Sequence, residues 1–176
     1  MMTYTREQQL WWRHLISVLV APVTVTLVIP ALIVAATGER GPDLNSPAGI
    51  GLVTVGGLLI AGGLGLLVWT VVLFDRWGEG TLGVGELLGE PVHLVVHGPY
   101  RHMRNPMISA VLCILLGEAA VMASGWLLGW VAIFLALRLT VIRFWEEPHL
   151  VRRYGNEYVE YRRHVPRWFP RISARR

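Results

Sequence analysis

The chain has 176 residues, of which 53% are hydrophobic and only 16% are charged, and its mean hydropathy is +0.48. Soluble domains carry about 25% charged residues, so this composition is typical of a one-domain membrane protein. The net charge is +4 and every basic residue is arginine, but the arginines flank apolar stretches instead of forming a basic polar surface, which argues against nucleic-acid binding. A single cysteine, Cys113, excludes a disulfide framework within the chain.

Four apolar stretches approach the roughly 20 helical residues that a bilayer requires. They cover about residues 14–37, 49–74, 106–123 and 126–145. Pro22 and Pro30 predict a kink in the first stretch, which is too long for the core of a signal peptide and is expected to be retained. Small residues predict close helix packing along the second stretch, and its glycines are Gly51, Gly56, Gly57, Gly62, Gly63 and Gly65. We therefore predict an all-α polytopic membrane protein with about four transmembrane helices.

The distribution of arginine predicts the orientation in the membrane. Arginines occur at the N-terminus, in the second loop and throughout the tail, whereas the first loop contains only Arg40. The positive-inside rule then places both termini and the second loop in the cytoplasm. Tryptophans near the ends of the apolar stretches predict an aromatic belt at the bilayer surfaces, namely Trp11, Trp12, Trp69, Trp77, Trp126, Trp130 and Trp145. We expect an inner or plasma membrane of bacterial or archaeal type, and we leave the oligomeric state open.

The last two apolar stretches are joined by very few residues around Ser124, which predicts an antiparallel helical hairpin. The hairpin would bring the segment HGPYRHMRNP, residues 97–106, beside RFWEEPHL, residues 143–150. We divide the chain into two N-terminal helices, residues 1–75, and a catalytic part with loop, hairpin and tail, residues 76–176. Apolar and aromatic residues at helical spacing predict one interfacial helix in the tail; they are Leu150, Tyr154, Tyr158 and Tyr161.

A cationic segment beside a double carboxylate suits a zwitterionic ligand that has a carboxylate, an ammonium group and a ribose. Arginine and backbone N–H groups bind carboxylates, while glutamates accept hydrogen bonds from ammonium and hydroxyl groups. Adjacent helical residues point about 100° apart, so we expect one of Glu146 and Glu147 to face the ligand while the other braces Arg143 or the loop. Pro106 is expected in the first turn of the third helix, where its missing N–H costs nothing.

The string GPYRHMRNPM, followed by a hairpin and then EEPHLVRRYGNEYVEYRRHVPRWFP, resembles the C-terminal half of the isoprenylcysteine carboxyl methyltransferases and is similar to the phospholipid methyltransferases. The resemblance covers about residues 76–170 and implies an integral-membrane enzyme that uses S-adenosylmethionine to methylate a lipophilic substrate. The cofactor-binding residues it implies are His97, Gly98, Tyr100, Arg104, Asn105, Pro106, Glu146, Glu147, Tyr154 and Tyr158. The expected catalytic residues are Arg138, Arg143 and Glu146, and no metal is expected.

The chain departs from the carboxyl methyltransferase pattern at three positions. Asn105, Ile108 and Ala110 stand where those enzymes often have His, Tyr and Gly. The substrate therefore stays open among a prenylated cysteine carboxylate, a lipid amine and a lipophilic thiol. An amine would need a base, for which His97, His102 and the glutamates are candidates. Two other classes also remain open, an NADPH-dependent membrane reductase of the sterol type and a non-catalytic lipid-binding scaffold.

Overall fold

The computed structural model describes residues 22–77 and 96–168, and all regular secondary structure in these two parts is helical. The helices are α1 (Ile29–Thr37), α2 (Pro47–Trp77), α3 (Pro106–Val121), α4 (Gly125–Val141), α5 (Glu147–Tyr154) and α6 (Asn156–His164). Two π-helical turns, Thr24–Val28 and Ile142–Glu146, precede α1 and α5, and a 3-10 turn, Gly98–Arg101, lies shortly before α3. The all-α prediction is confirmed for this part of the chain. The predictions for residues 1–21, including Trp11 and Trp12, lie outside the described residues.

Two of these helical segments are long and apolar enough to cross a membrane. They are Pro47–Leu73, with 27 residues, and the continuous segment Gly125–Tyr154, with 30 residues. Thr24–Thr37 and Pro106–Val121 are shorter apolar helices. Large apolar side chains such as Leu58, Trp126 and Phe144 are exposed on the isolated chain. An extensive exposed apolar surface of this kind is expected where a protein faces lipid.

α2 packs against α3 through small residues at close range. The buried residues of α2, through residue 73, recur at every seventh position, Gly49, Gly56, Gly63 and Thr70. A Cβ atom at Gly56 would lie 2.6 Å from the Gly117 carbonyl oxygen, and one at Gly63 would lie 2.8 Å from the Ala110 carbonyl oxygen. Backbone thus meets backbone, which only small residues allow. A Cβ at Gly57, by contrast, would have no atom within 4 Å.

The connection between α3 and α4 is capped at Ser124. The Ser124 Oγ accepts a hydrogen bond from the Leu127 backbone N–H at 3.1 Å, so it satisfies a donor in the first turn of α4. The two helices share an apolar core formed by Val111, Leu115, Val131 and Phe134. The Trp130 indole N–H donates to the Val25 carbonyl oxygen at 3.2 Å, which ties the residues before α1 to the same core.

The second π-helical turn determines which way α5 faces. The Glu147 N–H bonds to the Ile142 carbonyl oxygen, five residues earlier, so this turn accommodates one extra residue. Two α-helical turns contain about 7.2 residues, and one extra residue brings the repeat to roughly eight. Arg138 and Glu146 are eight residues apart and their side chains meet. The π turn therefore aligns two residues that a regular helix would offset.

The tail contains two short helices instead of the single interfacial helix that the spacing predicts. Gly155 separates α5 from α6 with a φ of 55°, in the left-handed region that favours glycine. The aromatic side of the tail is buried in a cluster of Tyr158, Tyr161 and Val165, against which Val96, Leu150, Val151 and Tyr154 pack. These rings are therefore packed within the protein. Apolar periodicity does not reveal the break, because residues on both sides of Gly155 join one cluster.

Candidate functional site

The first motif begins with a tight turn that contacts α2. His97 precedes the 3-10 turn, and its carbonyl oxygen accepts a hydrogen bond from the Tyr100 N–H at 3.1 Å. Gly98 has a φ of 55°, and a Cβ atom there would lie 2.6 Å from Leu73 Cδ1 and 3.5 Å from the Trp69 ring. Glycine is required at this position because the backbone is left-handed and the neighbours leave no space. The structure thus gives Gly98 a packing role.

α3 begins at Pro106, as the sequence predicts, and Asn105 is its N-cap residue. The Asn105 side chain makes no capping hydrogen bond, although asparagine is one of the preferred residues for that purpose. The side-chain amide is thus not used to start the helix. Pro106 is fully buried and needs no hydrogen bond at this position because it has no N–H.

Arg104 connects the first motif with the second motif and with the tail. Its Nη1 donates to Glu147 Oε1 at 2.7 Å, and its Nε donates to the Val165 carbonyl oxygen at 3.0 Å. Its backbone N–H donates to the Pro166 carbonyl oxygen at 2.9 Å. The side chains of Arg104 and Glu147 are only 12% and 11% exposed, so their charge-assisted bond is poorly screened by water. Arg104, predicted as a ligand contact, holds three segments together.

Three arginines surround Glu147, and we call Arg104, Arg162 and Arg167 with this carboxylate the Glu147 cluster. Arg167 Nη2 donates to Glu147 Oε1 at 2.7 Å, and Arg162 Nη1 lies 3.9 Å from Oε2. One negative charge thus faces three positive charges. The Arg167 Nε atom is buried and has no hydrogen-bond partner in the described part of the chain. Buried donors without partners are uncommon and costly.

Glu146 has a different partner. Its Oε1 accepts a hydrogen bond from Arg138 Nη2 at 2.6 Å, and the two side chains are 23% and 25% exposed. The sequence predicts that one of the two glutamates braces Arg143 or the loop. Glu147 braces the loop, through Arg104. Glu146 pairs with Arg138 and not with Arg143. Arg143 is exposed and has no ion pair within residues 22–77 and 96–168. The Arg138 contact is not evident from the sequence, because a straight helix separates the two Cα atoms by about 12 Å along its axis.

The buried tyrosines form the wall beside the Glu147 cluster. The Tyr161 hydroxyl donates to the Tyr100 carbonyl oxygen at 2.7 Å. Burial, together with the nearby Tyr161, raises the pKa of Tyr100. Burial also raises the pKa of Tyr158, against the lowering effect of its hydrogen bond with Arg104. Both rings are therefore neutral at physiological pH. Tyr154 is half-buried, and the Arg153 guanidinium lies 5.7 Å from its ring centroid.

The structure thus brings together the two motifs that the sequence singles out, and a comparison with known families agrees with them. The family model described as phospholipid methyltransferase matches residues 52–157, more than half of the chain. The chain belongs to the phospholipid methyltransferase family. It is therefore a member of a membrane methyltransferase family, as the resemblance implies. No curated protein and no solved structure matches the chain.

In this member of the phospholipid methyltransferase family, the matched residues include the loop, α3, α4 and Glu147, but they end before Tyr158. Arg162 and Arg167 lie beyond the match, and the geometry adds them to the candidate site. The only sequence signal for Arg167 is its place in the VPRW string of the tail. Nothing in the sequence distinguishes Arg162 from the neighbouring Arg163.

Proposed function

We propose that this protein transfers a methyl group from S-adenosylmethionine to a lipophilic substrate at the cytoplasmic face of a membrane. The supporting observation is the 2.7 Å ion pair between Arg104 and Glu147, which are 43 residues apart in the chain. This pair joins the two motifs beside the end of a long apolar helix, where a lipid-like substrate and a water-soluble cofactor can both arrive. Family membership supports the methyltransferase class.

The membrane arrangement is part of the proposal. α3 has 16 residues, about 24 Å at 1.5 Å per residue, which approaches the roughly 30 Å of a hydrocarbon core. α3 and α4 would form a transmembrane hairpin about Ser124. With α2 and the segment that ends at Thr37, this gives four spans with both termini in the cytoplasm. The loop between α2 and α3 and the tail would then share the cytoplasmic side.

The residues of the Glu147 cluster fit the polar groups of S-adenosylmethionine. Glu147 Oε2 lies 3.9 Å from Arg162, beyond hydrogen-bond distance, so it can accept a hydrogen bond from an ammonium or ribose hydroxyl group. The buried Nε of Arg167 offers a donor to a carboxylate. Tyr100 and Tyr158 are 8% and 4% exposed, so they would form the wall behind the base, and the half-buried ring of Tyr154 would supply its apolar surface. The cofactor supplies an electrophilic methyl group. The remaining proposed contacts are His97, Gly98, Asn105, Pro106 and Glu146.

The Arg138–Glu146 pair is proposed to act on the substrate. Methyl transfer is an in-line displacement, so positioning and exclusion of water supply much of the rate. Arg138 and Arg143 would bind an anionic group of the substrate near the membrane surface. Glu146, which is 23% exposed, would accept a proton if the nucleophile is an amine. A carboxylate or a thiolate would need no base.

The proposal is tested by calorimetric titration of the detergent-purified protein with S-adenosylhomocysteine, followed by transfer of labelled methyl groups to lipid fractions. We expect saturable binding and label in one lipid class. Glu147→Ala should weaken binding at least about tenfold, because it removes a charged hydrogen bond to the ligand. Arg104→Ala should also weaken it, because the loop loses its contacts with Glu147 and the tail, whereas Glu157→Ala, on the exposed start of α6, should not.

Folded protein that shows no saturable binding would refute the proposal. Quenching of NADPH fluorescence by the protein would favour a reductase. Cofactor binding without transfer to any amine, carboxylate or thiol lipid would favour a non-catalytic scaffold.

A further inference from the structure

We infer that Arg162 and Arg167 form an oxyanion-binding site beside Glu147, which takes a carboxylate or phosphate group of a ligand. The inference deepens the proposed function and rests on it for the identity of the ligand. The sequence favours the arginines of the segment 97–106 as the groups that bind an anion. The structure instead favours two arginines of the tail.

The first argument is the charge balance of the Glu147 cluster. Arg104 and Arg167 both donate to the same oxygen of Glu147 at 2.7 Å, and Arg162 lies 3.9 Å from the other oxygen. Three guanidinium groups therefore share one carboxylate in a site where Glu147 is 11% exposed. Like charges that are partly removed from water repel one another more strongly than on an open surface. A bound anion would relieve this repulsion.

The second argument is the unused donor of Arg167. Its Nη2 is bonded to Glu147, but its buried Nε has no acceptor in the described part of the chain. Nε and Nη2 lie on the same edge of the guanidinium group, and Nη2 is bonded to Glu147, so Nε offers a single donor to one oxygen of a carboxylate or phosphate. The Arg167 side chain as a whole is 24% exposed, although its Nε is buried. It therefore lies at the boundary between the protein interior and the surface that a ligand would approach.

The third argument is the position of Arg162. Its side chain is 44% exposed, and its contact with Glu147, at 3.9 Å, is too long for a hydrogen bond. Its guanidinium therefore keeps donors for a ligand while it remains close to the cluster. It occupies the last turn of α6, three residues before Val165, whose carbonyl oxygen accepts a hydrogen bond from Arg104.

Arg104 is less suited to the same task. Its Nε and Nη1 donate to Val165 and Glu147, and it also has a hydrogen bond with Tyr158. Using Arg104 for a ligand would require breaking contacts that hold the loop to the tail. Arg104 is thus a positioning residue in this arrangement, while Arg162 and Arg167 bind the anion.

One oxyanion chemistry has two possible sources here, the amino-acid carboxylate of the cofactor and the phosphate of a phospholipid headgroup. The full-length protein in detergent is titrated with S-adenosylhomocysteine, with its decarboxylated counterpart, and with short-chain dihexanoyl phosphatidylethanolamine. The variants are Arg162→Gln and Arg167→Gln. Arg163→Gln is the matched control, since it removes the same charge from the next residue of α6, which is exposed.

If the cofactor supplies the anion, Arg162→Gln and Arg167→Gln weaken S-adenosylhomocysteine binding about 10- to 100-fold, the range of a lost charged hydrogen bond. Binding of the decarboxylated counterpart stays unchanged, and Arg163→Gln leaves both unchanged. If a headgroup supplies it, the same loss occurs for dihexanoyl phosphatidylethanolamine instead. Either pattern supports the oxyanion site.

The inference is overturned if Arg162→Gln binds all three probes as Arg163→Gln does. It is also overturned if Arg162→Gln weakens the carboxylated and decarboxylated probes equally and leaves phospholipid binding unchanged. Arg167→Gln can disturb the fold through Glu147, so Arg162→Gln decides if that variant is destabilised. Wild-type protein that binds no S-adenosylhomocysteine refutes the proposed function, while the phospholipid titration still decides the oxyanion site.

Discussion

Replacing Glu147 with glutamine should loosen the contact between the loop and the tail. The carboxylate is 11% exposed and accepts hydrogen bonds from Arg104 and Arg167 at 2.7 Å each. Breaking a buried ion pair by changing one partner costs about 3–5 kcal/mol. Glutamine keeps the shape and one acceptor oxygen, so we expect the lower end, about 3 kcal/mol. In a protein of this length, that corresponds to roughly 6–12 °C in the unfolding temperature.

The measurement is thermal unfolding in detergent, combined with limited proteolysis of the tail. Glu146→Gln is the informative comparison, because its single pair with Arg138 is about a quarter exposed on both sides and should contribute at most about 1 kcal/mol. Glu157→Gln, on the exposed start of α6, controls for the charge change. If Glu147→Gln lowers the unfolding temperature no more than these two variants, the assignment of Glu147 as the centre of the cluster is wrong.

Two further predictions concern helix packing and helix direction. Gly56→Ala should destabilise the protein by about 1–3 kcal/mol in thermal unfolding, because its Cβ would lie 2.6 Å from the Gly117 carbonyl oxygen. Gly57→Ala, with open space around it, should not lower the unfolding temperature below that of the wild type. Equal unfolding temperatures of the two variants would contradict the packing of α2 on α3. Insertion of one alanine after Phe144, which is 74% exposed, adds a second extra residue to this segment and should rotate α5 by about 100°, abolishing S-adenosylhomocysteine binding in calorimetry. Deletion of Phe144 should instead convert the π turn to α-helix and leave Glu146 seven residues after Arg138, close to two regular turns, so that variant should bind normally. Wild-type affinity in the insertion variant would show that the π turn does not orient the glutamates.

Several features of this protein follow from local sequence. The apolar helices follow from composition and stretch length, and the start of α3 follows from Pro106, because these depend on neighbouring residues only. The resemblance that the two motifs carry is confirmed by the family match over residues 52–157. The glycines of α2 predict close packing, and their seven-residue spacing contains information about which ones face a neighbour, but only the position of α3 shows that Gly56 and Gly63 do.

The partners of the charged residues are decided by the tertiary structure. Glu146 meets Arg138 because a π turn adds one residue to the helix, and Glu147 meets Arg104 although 43 residues separate them in the chain. The tail reaches the same carboxylate because Gly155 breaks the helix between α5 and α6.

The sequence by itself determines that the chain forms apolar helices and that it contains the two motifs resembling those of a methyltransferase family. Each of these features depends only on residues that are close together in the chain. The structure decides which arginine each glutamate binds and which donors remain for a ligand. Hydrogen bonds extend only about 3 Å, so a rotation of one residue in a helix changes the partner, and such rotations depend on packing across the whole chain.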